Sequence, residues 1–437
     1  MKSRIQHGGV YLSIFALVFL VASSLFSVNS SADWPGFLYD AQHTGFTTSS
    51  APEDVEVLWT YETGGAVLSS PAVTDGIVYV GSDDEYLYAL DAETGELQWQ
   101  FKTLGLIESS PLVDGNVVYV GSNDRNLYAV NTETGKRIWQ YPTLGEIKTS
   151  PTLWKGYVFI GSDDTRLYAI NANTGLKEWD YTTGNIVQNS AAAWGDMVII
   201  GGCDGILTSL NVYSGEEVWT YDTGGNYITT SPTIYDGKIF FGNIEPKMFC
   251  VDLFNGEEIW TYQLQDVAAS SPVIGYDMIF FGSKDGYVRA LDTDTGDLIW
   301  EFETNGGVDA SPSIADEKVL IGSSDGTFYA LNTSDGGLLW SYPIGGEIKS
   351  SAAISDDCVF VGSKSNEIYA FEPKEQTQNG NGQNGDGNGG TTNGDSGSDK
   401  GIFGEATPLI LGGVAVAILV VIILIVVILS KKRKQNT

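Results

Sequence analysis

Eight tryptophans fall at an almost constant interval along this chain, at Trp59, Trp99, Trp139, Trp179, Trp219, Trp260, Trp300 and Trp340. The steps are 40 residues except for one of 41. A fixed period of this size is the mark of a propeller or a solenoid. Each period repeats one internal grammar, seen first in Ser69-Ser70-Pro71, Val78-Tyr79-Val80-Gly81-Ser82, Leu87-Tyr88-Ala89-Leu90-Asp91, Thr94-Gly95 and Trp99. The runs Ile77 to Val80 and Leu87 to Leu90 are β-branched, aromatic and apolar, and Asp-Gly, Ser-Asp-Asp and Glu-Thr-Gly supply turns between them. No stretch inside residues 55–372 reads as a helix. Four short strands per period predict one blade of an all-β propeller.

Counting the pieces predicts how the ring closes. The Ser-Pro element, or its Ser-Ala variant, occurs at Ser70, Ser110, Ser150, Ser190, Ser231, Ser271, Ser311 and Ser351. The first tryptophan strand, around Val57 to Tyr61, precedes any such element, and the last unit, Ser350 to Phe371, has no tryptophan strand after it. The two incomplete pieces make one blade. The expected fold is therefore an eight-bladed propeller of four-stranded blades, closed by an N-terminal outer strand, whereas a solenoid would leave two capped ends.

A large aromatic buries roughly 150–250 Å². One per blade on the outer strand can fill the gap between neighbouring sheets, with the small equivalents of Ala89 and Gly95 letting it seat. Tyr88, Tyr128, Tyr168, Tyr329 and Tyr369 recur at one repeat position and read as packing residues too.

Residues 78–99, Val-Tyr-Val-Gly-Ser-Asp-Asp-Glu-Tyr-Leu-Tyr-Ala-Leu-Asp-Ala-Glu-Thr-Gly-Glu-Leu-Gln-Trp, resemble the pyrroloquinoline quinone (PQQ)-like repeat, and the resemblance recurs through residues 55–372. The segment from Asp33-Trp34-Pro35-Gly36 to His43-Thr44-Gly45 is similar to the lead-in that precedes such propellers. Families with this fold include quinoprotein alcohol dehydrogenases and the propeller lipoprotein of the outer-membrane protein assembly machinery, so the fold alone does not choose a function. The dehydrogenase branch of the resemblance would bring PQQ with calcium, two adjacent cysteines, a stacking tryptophan and an Asp acting as base. This chain has no Cys-Cys pair, and its blades hold to 40 or 41 residues without long inserted loops. No catalytic residue and no cofactor are expected.

The ends of the chain read as targeting segments. Lys2 and Arg4 precede an apolar run from Val10 to Val21 and then small residues up to Ala32, a secretory signal pattern over residues 1–32. A lead-in follows at 33–54. Leu409 to Leu429 is 21 residues without a charge, followed by Lys431, Lys432, Arg433 and Lys434. That predicts one transmembrane helix with the basic tail, 430–437, on the cytoplasmic side and the propeller outside the cell. Between ring and helix, 373–408 forms a linker rich in Asn, Gly, Asp and Ser. It cannot bury apolar surface, and its polar part has a reach on the order of 30 Å.

A net charge of −32 argues against nucleic acid, which requires a basic footprint, and keeps an exported chain soluble. Asn332-Thr333-Ser334 is a glycosylation sequon. Cys203, Cys250 and Cys358 are too few and too scattered for a disulfide framework or a Cys-based zinc site; one Cys203–Cys250 bridge between adjacent blades is conceivable. Apart from His7 in the signal segment there is only His43, and Ser-His-Asp catalysis needs a positioned base. His43 reads as structural, and no metal site is expected.

Recognition is expected where the blades differ from one another. Two residues before the second Ser of the Ser-Ser-Pro element the chain reads Leu68, Glu108, Lys148, Gln188, Thr229, Ala269, Asp309 and Lys349. Around a ring these converge on the mouth of the central channel, so Glu108, Lys148, Gln188, Thr229, Asp309 and Lys349 are the candidate contacts for a ligand or partner. A second irregular sector spans blades four and five, with Ser190-Ala191, Gly201-Gly202, Gly242-Asn243, Thr208-Ser209, Phe249-Cys250 and Glu245-Pro246-Lys247 in place of the usual residues; it is expected to form a lateral docking patch. The expected function is a cell-surface, membrane-tethered module binding or scaffolding a protein or cell-envelope partner. The alternatives are a PQQ-dependent dehydrogenase with a reduced site and an envelope or adhesion component.

Overall fold

Each forty-residue period folds into one antiparallel four-stranded sheet in a computed structural model that describes residues 33–374. Blade 1 is Ala72–Thr74, Ile77–Gly81, Tyr86–Asp91 and Leu97–Lys102, running from the channel outward. The second and third strands are buried along nearly their whole length, which is why they read as continuous apolar and aromatic runs. The outer strand alternates exposed and half-buried residues. Eight such sheets are present, and no helix occurs among the described residues.

The ring closes as the sequence predicts. Val55–Glu62 pairs antiparallel with Glu367–Pro373 and supplies the outer strand of blade 8, whose other strands are Cys358–Gly362 and Ala353–Ser355. The last strand runs to Pro373, one residue past the expected boundary of the propeller. Residues 1–32, the linker from 375, the Leu409–Leu429 segment and the 430–437 tail lie outside the described residues.

The tryptophans join blade to blade. Every outer strand carries a bulge just before its tryptophan, as between Val57 and Trp59 or Arg137 and Trp139. The unpaired residue bends the strand and leaves Trp99 opposite the small Ala89. The ring then reaches into the next blade. Trp59 Nε1 donates to the Ala92 carbonyl at 2.9 Å, and a Cβ on Gly95 would stand 2.7 Å from the Trp59 indole. Gly95 also has φ 71°, so glycine is required there twice over, for the turn and for the indole. The same bond recurs around the ring until Trp340, which finds no following blade loop and donates instead to Pro52 at 3.0 Å.

Two further devices lock the sheets. The second Ser of the Ser-Pro element accepts a hydrogen bond from its counterpart's backbone one blade back at all but one step, as Ser110 Oγ does from Ser70 N. Seven of the eight steps around the channel are such bonds of 2.9–3.1 Å, including Ser351 N to Ser70 Oγ across the chain closure. Four of the recurring tyrosines donate to an acid four residues earlier, as Tyr88 does to Asp84 and Tyr128 to Asp124, both at 2.7 Å, while Tyr369 donates to Glu367 two residues earlier. The same carboxylates accept backbone N–H groups from the preceding loop, as Asp84 does from Gly64 at 2.6 Å. In blade 6 the repeat tyrosine is Arg289, buried and paired with Asp285 at 2.9 Å and Glu301 at 3.2 Å.

The lead-in is part of the propeller rather than a passive preamble. It crosses one end of the channel and offers carbonyls to the innermost strands in turn. Val73 N–H donates to Trp34, Val113 to Pro35, Ala193 to Ala41, Ile234 to Gln42, Ile274 to Thr44 and Ile314 to Gly45, at 2.7–2.9 Å. Phe46–Thr47 continues as a short parallel strand on Ser313–Ala315. Leu38, fully buried, packs with Val273, Val308 and Ile314. A chain whose own backbone donors and acceptors are met this way can lie in a buried position that a loop could not otherwise occupy.

Candidate functional site at the open channel mouth

The opposite end of the channel is bounded by the loops leading into each innermost strand and the loops between the second and third strands. Four consecutive residues of the first loop have separate fates. Val67 and its equivalents are buried and pack on the glycine of the Gly-Ser element, where a Cβ on Gly81 would stand 2.3 Å from Ile107. Ser69 closes a reciprocal bond with Gly81, both contacts at 2.8 Å. Ser70 belongs to the inter-blade chain already described. Only Leu68 and its equivalents have no packing duty, and that is why Glu108, Lys148, Gln188, Thr229, Asp309 and Lys349 vary.

The second loop adds a tier that the repeat comparison above passed over. Ser82 Oγ bonds the Gly65 carbonyl and Asp84 is committed to Tyr86, Tyr88 and Gly64. Residue 83 between them is tied only through its backbone, N–H to the Ala66 carbonyl at 2.9 Å. Across the blades this position reads Asp83, Asn123, Asp163, Cys203, Ile244, Lys284, Ser324 and Lys364. Its variation between an invariant Ser or small residue and a recurrent acid was the available signal.

The two tiers meet side chain to side chain. Asn123 donates to Glu108 at 3.0 Å. Lys148 lies 3.2 Å from Glu146 and 3.4 Å from Asp163, and Gln188 donates to Asp163 at 3.0 Å. On the far side Asp309 sits 3.8 Å from Lys284 and 3.7 Å from Lys349, and accepts from Ser324 at 3.2 Å. The mixed charges therefore form two arcs, over blades 2–4 and 6–8. Burial pulls the Lys148 ammonium down, but Glu146, Asp163 and Glu108 outweigh it and hold it above its usual value. Burial raises Asp83, with Glu108 and Asp84 adding to the effect and Lys364 opposing it.

Between the arcs the mouth is apolar. A cavity of about 420 Å³ is lined by Tyr227, Ile228, Ile244, Val267 and Ala269, with Gln188, Cys203, Lys284 and Asp309 at its margins. Tyr227 and Ile244 are 49% and 46% exposed. Thr229 also lines it, but its hydroxyl is committed to the Ala268 carbonyl at 2.8 Å, leaving the methyl as its contribution. The irregular sector of blades four and five is divided by the fold rather than gathered into a lateral patch. Cys203 and Ile244, in the mouth-side loops, face this cavity, while Thr208, Ser209, Phe249 and Cys250 are buried inside their blades.

The remaining sequence candidates are structural. Cys203, Cys250 and Cys358 are free thiols, so the conceivable Cys203–Cys250 bridge is not formed. Cys250 lies mid-strand opposite Phe240 and Trp260, where burial pushes its thiol up to about 12. His43 is at the closed end, buried, with Nδ1 2.9 Å from the Pro232 carbonyl. Among the described residues no group of three or more His, Cys, Asp or Glu side chains is placed to hold a metal ion.

Comparison with known proteins places this geometry. A profile of the family described as outer membrane protein assembly factor BamB matches residues 36–110, 102–241 and 214–386. Among solved structures, BamB from Moraxella catarrhalis aligns with a TM-score of 0.64 at 18% identity, covering 73% of this chain and 99% of that one. The quinohemoprotein alcohol dehydrogenase of Comamonas testosteroni aligns with a TM-score of 0.69 at 14% identity, covering 82% and 83%. The computationally designed Ika8 protein aligns with a TM-score of 0.66 at 18% identity, covering 74% and 100%. At these identities the structures share the fold alone. No curated protein matches the sequence.

Proposed function

Since this chain belongs to the family of the outer membrane protein assembly factor BamB, we propose that it is a non-enzymatic, protein-binding or scaffolding propeller of the cell envelope. It is carried outside the cell and held to a membrane by the Leu409–Leu429 segment, with the 430–437 tail cytoplasmic and the linker as tether. One observation carries the reading. At the open mouth, two adjacent tiers of side chains are free of packing duty and differ from blade to blade, and they build an apolar sector between two charged arcs. Specific protein interfaces have that form, an apolar centre within a polar rim. The ion pairs of the arcs are solvent-accessible and only half-buried, and such pairs contribute on the order of 1 kcal/mol or less each, so a partner's charges can replace them at modest cost.

The dehydrogenase alternative rests on the shared fold, and the residues do not fit PQQ with calcium. The three cysteines sit in separate blades, none adjacent to another. No tryptophan lies in the mouth tiers, and no acidic cluster is placed for a cation among the described residues.

The test is site-specific photo-crosslinking in cells, with the reactive side chain placed at Tyr227 or Ile244 and, as reference, at Leu176 on the rim of the closed face. Discrete protein adducts from the mouth positions, lost when Glu108, Lys148, Asp309 and Lys349 are replaced together by Gln or Asn, are the expected result. Unchanged adducts after that replacement would sink the assignment of the mouth. Calorimetric titration of PQQ with calcium should give no heat; stoichiometric binding with dye-linked alcohol oxidation would establish the enzyme instead.

A further inference from the structure

The closed face holds a second site, independent of the mouth. The lead-in caps the innermost-strand N–H of blades 1, 2, 4, 5, 6 and 7, but none of its carbonyls reaches the equivalent N–H of Leu153 in blade 3 or of Ile354 in blade 8. Ile354 is fully buried, whereas Leu153 is half-buried and lines a cavity of about 690 Å³. The cause is local. Pro35 is the last residue to pair with blade 2 and Ala41 the first to pair with blade 4. Between them Leu38 and Tyr39 adopt left-handed φ of 52° and 73°, the chain turns inward to bury Leu38, and the edge of Thr152–Trp154 is bypassed.

We propose that this cavity receives an extended, basic peptide segment, which pairs with the Thr152–Trp154 edge as Trp34 pairs with Val73 of blade 1 and Phe46–Thr47 with Ser313–Ala315 of blade 7. The pairing mode is already displayed by the molecule itself, and strand addition supplies affinity from the main chain with specificity from alternate side chains. The charge follows from the lining. It contains Asp33, Asp40 and Asp114 and no Lys or Arg, and its histidine, His43, is neutral, burial holding its pKa near 4. Asp40 is consumed by Thr44 and Gln42 and Asp33 accepts the Asp75 N–H at 3.2 Å. Asp114 is exposed and forms no hydrogen bond or ion pair with the described residues, so it is the carboxylate that a Lys or Arg of the added strand meets. Trp154, with its indole N–H fixed on Gly195 at 2.9 Å, offers an apolar wall beside it.

The test uses the full chain in an uncharged detergent at physiological salt, with three fluorescent short peptides as probes: alternating Val and Lys, alternating Val and Glu, and a version of the first with Pro for each Val. The Val-Lys probe should bind at least tenfold tighter than either of the others, because the Glu probe has the wrong charge and the Pro probe lacks every second backbone N–H and disfavours a regular strand ladder. Leu153→Pro removes the strand donor at a position where no described acceptor uses it, and should weaken the Val-Lys probe about tenfold, the loss of one strand bond. Asp114→Lys, on the surface, should reverse the preference between the Lys and Glu probes. Absence of binding to the wild-type chain, equal binding of the Val-Lys and Pro-Lys probes, or unaltered binding to Asp114→Lys would overturn the proposal.

Discussion

Acidification should loosen the lead-in through a single residue. His43 is 2% exposed, holds φ 64°, packs edge-on to Phe37 with ring centroids 5.5 Å apart, and faces the Pro232 carbonyl. A carbonyl only accepts, so Nδ1 carries a hydrogen. Burial lowers its pKa from 6.5 to about 4, the Pro232 bond opposing. A base whose pKa is lowered in the folded state binds protons better when unfolded. Its contribution is therefore complete above pH 6.5 and is lost as pH falls toward 4, a total of about 3 kcal/mol at ~1.4 kcal/mol per pH unit. Because Gln42, Thr44 and Gly45 cap the amides of Ile234, Ile274 and Ile314, the loss should appear in those amides first. Hydrogen exchange corrected for intrinsic rate should show protection falling roughly thirtyfold between pH 6.5 and 4.5. In His43→Asn, which tolerates the left-handed backbone and cannot titrate, this fall should be absent and only the slope shared with the wild type should remain. The comparison also removes Asp40, whose pKa burial raises and which both proteins share. Equal slopes in the two proteins, or a His43 titration midpoint near 6.5 by NMR, would refute the reasoning.

Two further substitutions test the blade joints. Gly95→Ala places a Cβ 2.7 Å from the Trp59 indole at a φ of 71° and should destabilise by about 2–3 kcal/mol, whereas Gly115→Ala, φ 53° with open space around it, should cost about 1 kcal/mol; denaturant midpoints separate clash from backbone strain, and equal losses would deny the indole seat. Arg289→Ala strands the buried Asp285 and should cost about 3–5 kcal/mol, while Arg289→Tyr, which restores the donor that Asp84 and Asp124 have, should recover most of it; equal losses for the two variants in thermal unfolding would show that Asp285 does not need the donor.

Much of this was legible in advance because a propeller writes its packing rules once per blade. The tryptophan interval, the small residues at Ala89 and Gly95, and the orphaned strand at each end of the repeats each answer to a contact that recurs, so the sequence displays the rule several times over. The Leu68-equivalent tier was legible for the converse reason, since a position relieved of packing is free to vary. The tier at Asp83 was equally free but was masked by its neighbour Asp84, which resembles it in chemistry and differs only in having hydrogen-bond partners. The conceivable Cys203–Cys250 bridge does not form because adjacency of blades says nothing of depth, and Cys250 lies inside its sheet while Cys203 lies in a loop.

By itself the sequence determined the number of blades, the strands of each, the residues that join them and the manner of closure, all consequences of local periodicity and of counting. Tertiary structure alone decided what the two ends of the channel are. The apolar sector at one end is assembled from loops of different blades that no single repeat contains. The closure at the other depends on lead-in carbonyls meeting amides as far along the chain as Ile314, pairings between backbone groups common to every residue. Backbone hydrogen bonding of that kind leaves no mark on side-chain identity, and so it could be seen only once the ring had brought the partners together.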